Sequence, residues 1–169
     1  FNTLNNLYAL SVKQSEEAPK VVLKLSEMMR YTIYEGKKES VSLADEVEYL
    51  KNYIDLHKIR YRKTVDIQFD HEIDQSLEVA PLMFIVPLEN AIKHGVESLS
   101  DNAYIKMSLK SDGDAIRFAI ENNFDPNEIG EWKGIGLENL KQRLALTYPK
   151  NHELSIVEEN NVFKLTLSI

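Results

Sequence analysis

The stretch Phe84-Ile-Val-Pro-Leu-Glu-Asn-Ala-Ile-Lys-His-Gly95 concentrates side chains that could do chemistry. Turned at about 100° per residue, it puts Phe84, Ile85, Leu88, Ala91 and Ile92 on one side of a helix. Glu89, Asn90, Lys93, His94 and Glu97 gather on the other. An asparagine oxygen is a hard, neutral ligand of the kind Mg²⁺ accepts, and a lysine ammonium meets phosphate oxygens. A surface helix with a solvated polar face would show the same periodicity. Against that plain reading, the helix grows out of the apolar run Val79 to Leu88 with Pro87 in its first turns. Its N-terminal half is therefore expected to be buried.

A second segment, Lys133-Gly-Ile-Gly-Leu-Glu-Asn139, stands just before a helical stripe of Leu137, Leu140, Leu144 and Tyr148. Two glycines so placed let backbone approach a phosphate, and the helix start adds free N–H groups and a positive dipole end. A lone Gly-x-Gly is more often only a tight turn. It lacks the third glycine and preceding parallel strand of a dinucleotide fingerprint, and no Gly-x-x-x-x-Gly-Lys-Ser/Thr loop occurs. Upstream, Asn122 to Trp132 is rich in turn formers and poor in periodicity, the composition of a lid.

Composition narrows the classes. The 169 residues make one domain, or one with a helical appendage, and 43% hydrophobic content suffices for a core. Twenty basic against twenty-seven acidic residues leave a net charge of −7, which argues against nucleic acid or an anionic membrane as a direct partner. The absence of cysteine excludes disulfides, thiolate metal sites and cysteine catalysis. The Val79–Leu88 run is far short of the ~20 residues a membrane helix needs. The chain opens on Phe1 without a methionine, and is expected to be a piece of something longer.

The elements that must position these residues follow from periodicity. Phe1 to Val12 has a weak helical period, and a second helix starts at Pro19, runs through Val22, Leu25, Met29 and Ile33, and closes at Gly36 as a C′ residue. A helical hairpin is expected over 1–36. Ser42 opens a third helix with Asp45 in the manner of a capping box, striped by Leu43, Val47, Leu50, Ile54 and His57 and ending near Tyr61 to Lys63. Alternation predicts strands at Val65–Phe69, Ile105–Leu109, Ile116–Ile120, Leu154–Ile156 and Phe163–Ile169. Turns are expected at Asp112-Gly113-Asp114 and Asn160-Asn161. Helices at roughly Leu82–Glu97 and Leu137–Tyr148 interrupt them. The fold class is α+β: a mixed sheet of about five strands with helices on one face, occupying 37–169.

The two segments occur together and in order. Pro81 to Gly95 closely resembles the N-box of LytS/YehU-like sensor histidine kinases, and Lys133 to Leu144 followed by Tyr148-Pro149 resembles their G2-box. Phe1-Asn-Thr-Leu-Asn-Asn6 is similar to the tail of the family's phosphoacceptor motif, His-Phe-Leu-Phe-Asn. Leu25 to Tyr31 and Tyr53 to Tyr61 fit the linking segments. The resemblance implies a Bergerat-type ATP-binding sandwich, with ATP and Mg²⁺ as cofactors. It implies Asn90 on the Mg²⁺ and Lys93, His94 and Gly95 along the phosphates. Where the family has an adenine-binding aspartate, this chain has Asn122, whose carbonyl can supply the same acceptor. Gly134 and Gly136 would make the phosphate-side turn, with Leu137, Asn139 and Arg143 counted on the nucleotide side and Glu89 as a catalytic candidate.

The resemblance puts the phosphoacceptor histidine just before Phe1, so this chain is expected to bind ATP without phosphorylating itself. None of the four histidines replaces it: His57 ends a helix stripe, His94 belongs to the nucleotide helix, and His71 and His152 are expected exposed. The implied partners are a second copy through the hairpin and a response regulator, often of the LytTR type. The implied setting is the cytoplasmic part of an inner-membrane sensor. Two other readings stand beside this one. A degenerate module kept for partner contacts is favoured by Asn122. An ATP-hydrolysing switch would need a general-base glutamate one turn before Asn90, where Val86 stands.

Overall fold

The computed structural model describes residues 2–61, 65–127 and 135–169. Lys133, Gly134, Trp132 and part of the expected lid lie outside the described residues. Helix α1 (Asn2–Val12) and helix α2 (Ala18–Tyr34) form the expected hairpin. Pro19 sits in the first turn of α2, where its missing N–H has no partner to lose. Gly36 does not close this helix in the left-handed conformation. Glu35 caps α2 in the helical region, and Gly36 falls inside a 3-10 turn, Glu35–Lys37.

Strand β1 (Val41–Ser42) leads into helix α3 (Leu43–Arg60). Ser42 caps α3 as expected: its Oγ accepts the Asp45 N–H at 3.1 Å, and Asp45 and Glu46 place acid near the positive end of the dipole. Leu43, Val47, Leu50 and Ile54 are buried. A small core of Val21, Met28 and Leu56 joins α2 to α3.

The sheet is built from β2 (Val65–Glu72), β4 (Ala103–Asp112), β5 (Ala115–Asn123), β6 (Glu153–Glu159) and β7 (Val162–Ser168), in the order β2-β4-β5-β7-β6. β2 and β4 are parallel and the other pairs antiparallel, so the sheet is mixed. A two-stranded ribbon of β1 with β3 (Glu78–Val79) has too few residues to show a period in the sequence. Register stacks the inward residues in rows across the strands: Met107, Ile120 and Leu165 in one, Leu109, Phe118 and Leu167 in the next. Both expected turns form. Gly113 takes φ +58°, and Asn160 and Asn161 take +54° and +61°, the paired left-handed residues of a type I′ hairpin.

Helix α4 (Ile85–Asn90) and helix α5 (Ile135–Thr147) cover the inner face. The rings of Phe84 and Phe118 meet there at 5.1 Å. The helix expected from Leu82 starts only at Ile85, because Leu82 sits at φ +56° and cannot be helical. Beyond Asn90 the chain continues as a π-helix, Ala91–Val96. His71 is exposed as expected, whereas His152 is half-buried with Nδ1 2.8 Å from the Tyr148 carbonyl. No helix among the described residues is long and apolar enough to cross a membrane.

Replacing Ser42 by Ala should lower stability by about 1 kcal/mol through loss of the cap. Urea denaturation followed by circular dichroism checks this; an unchanged midpoint would show that the Asp45 N–H finds water at no cost.

Candidate functional site

The sequence of α4 explains its placement. Phe84, Ile85, Leu88, Ala91 and Ile92 are all buried, as their shared face requires. Pro87 falls in the first turn, where it removes no intrahelical bond. The polar side faces outward: Glu89, Lys93 and Glu97 are exposed, and Asn90 and His94 are half-buried. Widening into the π-helix is visible in the Glu97 N–H donating to the Ile92 carbonyl at 2.9 Å. The Ser98 hydroxyl meets the carbonyls of His94 and Gly95 at 2.6 and 3.0 Å. Such π segments are frequent at functional sites.

Two distant segments meet at Gly95. A Cβ built there would lie 2.4 Å from Asn122 Nδ2 and 2.9 Å from the Asn123 carbonyl, closer than real atoms allow. Asn122 occupies an inward position of β5, in register with Ile105 and Phe163, and is fully buried. Its Nδ2 donates to the Asn123 carbonyl at 3.0 Å. A carbonyl can only accept, so that contact fixes which end of the amide is which. Among the described residues, Asn122 Oδ1 is then left buried without a partner, and so is Asn90 Nδ2. Orphaned polar atoms of this kind are rare in native interiors. They fit a polar ligand whose donor faces Asn122.

Electrostatics around the helix are uneven. Although its side chain reaches solvent, partial desolvation against the protein pushes the Glu89 carboxyl above its usual range. Burial also raises the Tyr53 and Tyr49 hydroxyls of α3, with the Glu89 charge adding to both. Burial, then Lys93, holds His94 below the ordinary imidazole value, while Glu97 pulls it back up. Among the described residues no cluster of three or more acidic or imidazole groups could hold a metal alone.

The remaining candidates are spread along α5. A Cβ on Gly136 would come within 3.4 Å of Val86 Cγ1, so the start of α5 abuts α4. Leu137 is buried in the core, leaving only its backbone for a ligand; Asn139 is exposed and Arg143 half-buried. Gly134 lies outside the described residues. Two supporting roles escaped the sequence reading. Glu46 is 1% exposed and holds the loop before α4, and the Tyr148 hydroxyl accepts the Ala80 N–H at 2.8 Å. The signal for Glu46 was present: a carboxylate beside Val47 on the buried Leu43–Leu50 stripe.

The family described as histidine kinase matches residues 1–65. The sensor histidine kinase BtsS of Escherichia coli is 28% identical over 174 residues, covering all of this chain and 30% of that protein. The sensor protein LytS of Enterococcus faecalis is 30% identical over 162 residues, covering 88% of this chain and 28% of its own length. Over most or all of its length the chain is similar to sensor histidine kinases, LytS among them. It spans less than a third of the length of those relatives. Among solved structures, the catalytic domain of the histidine kinase ThkA superposes with a TM-score of 0.55 at 17% identity, covering 77% of this chain and 94% of that one. The Acinetobacter baumannii histidine kinase AdeS gives 0.53 at 15% identity, covering 96% and 82%. These likenesses establish the kinase-type α+β sandwich fold.

Two outcomes follow. Gly95→Ala should destabilise the protein by about 1–3 kcal/mol, as overpacking does, and shift the Asn122 side-chain amide resonances; unshifted resonances would deny the close approach. His94 should titrate below the ordinary value of 6.5 in an NMR pH series. Because the unfolded chain then binds that proton better, His94's contribution to stability is complete above 6.5 and is lost as pH falls below it. A midpoint at or above 6.5 would contradict this.

Proposed function

We propose that this chain is the ATP-binding module of a two-component sensor kinase, holding Mg-ATP for transfer of the γ-phosphoryl group to a histidine. The observation that carries the reading is the orphaned Asn122 Oδ1, a buried acceptor beside Gly95 that suits the exocyclic amino group of adenine. Asn90, on the polar side of the same helix, would contribute an oxygen to Mg²⁺. Lys93 and His94 would line the phosphates, where the lysine offsets charge and a largely neutral imidazole can donate a hydrogen bond. The turn at Gly134 and Gly136 and the backbone of Leu137 would close the phosphate side, with Asn139 and Arg143 beyond it.

Mg-ATP supplies the transferable phosphoryl group, and phosphoryl transfer asks the protein mainly for positioning and charge stabilisation. That division fits the residues present. Glu89, next to Asn90 and with a carboxyl raised by partial desolvation, would take a proton from the acceptor imidazole. Water as the acceptor is disfavoured: the position one turn before Asn90 is Val86, packed toward Gly136.

The partners follow from the hairpin, which we assign to residues 1–36, with 37–169 as the catalytic domain. Leu4, Tyr8 and Val12 of α1 and Val22, Met29 and Ile33 of α2 are exposed. Apolar side chains at helical spacing suit a second copy of the hairpin. A response regulator, of the LytTR type in relatives of this pattern, would receive the phosphate. The parent protein would anchor in the inner membrane with this portion in the cytoplasm.

Asn90→Ala should abolish binding of Mg-ATP in a calorimetric titration while the far-ultraviolet spectrum and melting midpoint stay close to wild type. Unchanged affinity would remove the role given to Asn90. No binding by the unaltered chain at millimolar nucleotide would point to a degenerate module kept for partner contacts.

A further inference from the structure

The loop that launches α4 is held from behind by a single buried carboxylate. Glu46 Oε1 accepts the Tyr31 hydroxyl at 2.6 Å and the Leu82 N–H at 2.7 Å, and Oε2 accepts the Met83 N–H at 3.1 Å. The Phe84 N–H interacts with the same group. The Leu82 and Met83 N–H groups belong to the loop just ahead of α4 and Phe84 is its N-cap residue, whose own side chain makes no capping bond. Burial pushes the Glu46 carboxyl upward, while Tyr31 and the three backbone N–H groups pull it back.

Tyr31 belongs to α2, Glu46 to α3, and Leu82 and Met83 to the loop before α4, so one side chain ties three elements together. A second contact runs parallel to it. Leu82, in its strained left-handed conformation, sends Cδ1 to within 3.1 Å of where a Cβ on Gly36 would be. The turn that follows α2 is thus cut back to receive Leu82. Tyr31 is itself held: its ring lies 4.8 Å from that of Tyr49, whose hydroxyl is 3.2 Å from Thr32 Oγ1. A carboxylate that only held the loop before α4 would need no hydroxyl from the hairpin. The short Tyr31 bond gives α2 a direct hold on the residues that set where α4 begins.

We propose that Glu46 is the positioning residue for the nucleotide helix, and that Tyr31 and Gly36 link the helical hairpin to it, so that a shift of α2 is felt at Leu82 to Phe84. The link rests on the ATP reading only for its consequence, the placing of Asn90 and Lys93. Its geometry stands apart from that reading.

The test uses the whole chain with Tyr31→Phe and Glu46→Gln, reading amide hydrogen exchange residue by residue and affinity for a fluorescent ATP analogue with Mg²⁺. Tyr31→Phe keeps the ring on Tyr49 and removes only the hydroxyl. It should speed exchange at Leu82 and Met83 about tenfold, the loss expected for a hydrogen bond to a charged group, and weaken the analogue severalfold. Exchange in β4, β5 and β7 should stay unchanged. Glu46→Gln should act more strongly at the same amides, because one end of its amide cannot accept. Unaltered exchange at Leu82 and Met83 in Tyr31→Phe overturns the link, and so does acceleration spread equally over the sheet, which would mean mere loss of stability. Should Glu46→Gln fail to fold, Tyr31→Phe decides alone. Should the unaltered chain bind no analogue, the nucleotide reading fails and the exchange result still judges the link.

Discussion

A polar group taken out of water has to be met by another, and the candidate site is organised by two amides that the protein itself leaves partly unmet. Asn122 stands on the inner face of the sheet, in a row with Ile105 and Phe163 where an apolar side chain would pack without penalty. Its Nδ2 is satisfied by the Asn123 carbonyl and its Oδ1 by nothing in the described chain. Gly95 makes this possible, since any side chain there would occupy the same space. An isolated buried acceptor costs roughly 1–3 kcal/mol, so its retention is better explained by a ligand than by the fold.

Placing that acceptor against Gly95 is the work of elements far apart in the chain. β5 brings Asn122 through an antiparallel register set by the Gly113 turn and by pairing with β7. α4 is fixed on its buried face by Leu88 and Phe84, at its start by Glu46, and through Ala80 by the Tyr148 hydroxyl of the segment after α5. The chain then carries Lys93, His94 and Gly95 in a π-helix rather than an α-helix.

Much of this was legible in the residues. The alternation of β4, β5 and β7 came through because one face of the sheet is buried and the other wet, which imposes a period of two. The capping of α3 by Ser42 and the Asn160-Asn161 turn came through because those side chains suit no other backbone as well. The start of α4 did not. A periodic pattern extends naturally back to Leu82, and only the backbone bonds to Glu46 and the packing on Gly36 hold Leu82 out of the helix. Gly36 itself misled for a related reason: a glycine after a helix suggests a left-handed cap, whereas here its value is the space it leaves for another element.

By itself the sequence determined which residues are polar on an otherwise buried helix, where the strands and tight turns lie, and which family those segments resemble. These properties are local, written in periodicity and in the conformational preferences of a few residue types. Only the tertiary structure decided that Asn122 meets Gly95, that Glu46 holds the loop before a helix it does not belong to, and that the helix widens after Asn90. Each depends on groups brought together across twenty-five residues or more, or on backbone bonds redistributed by packing, and no local pattern encodes either.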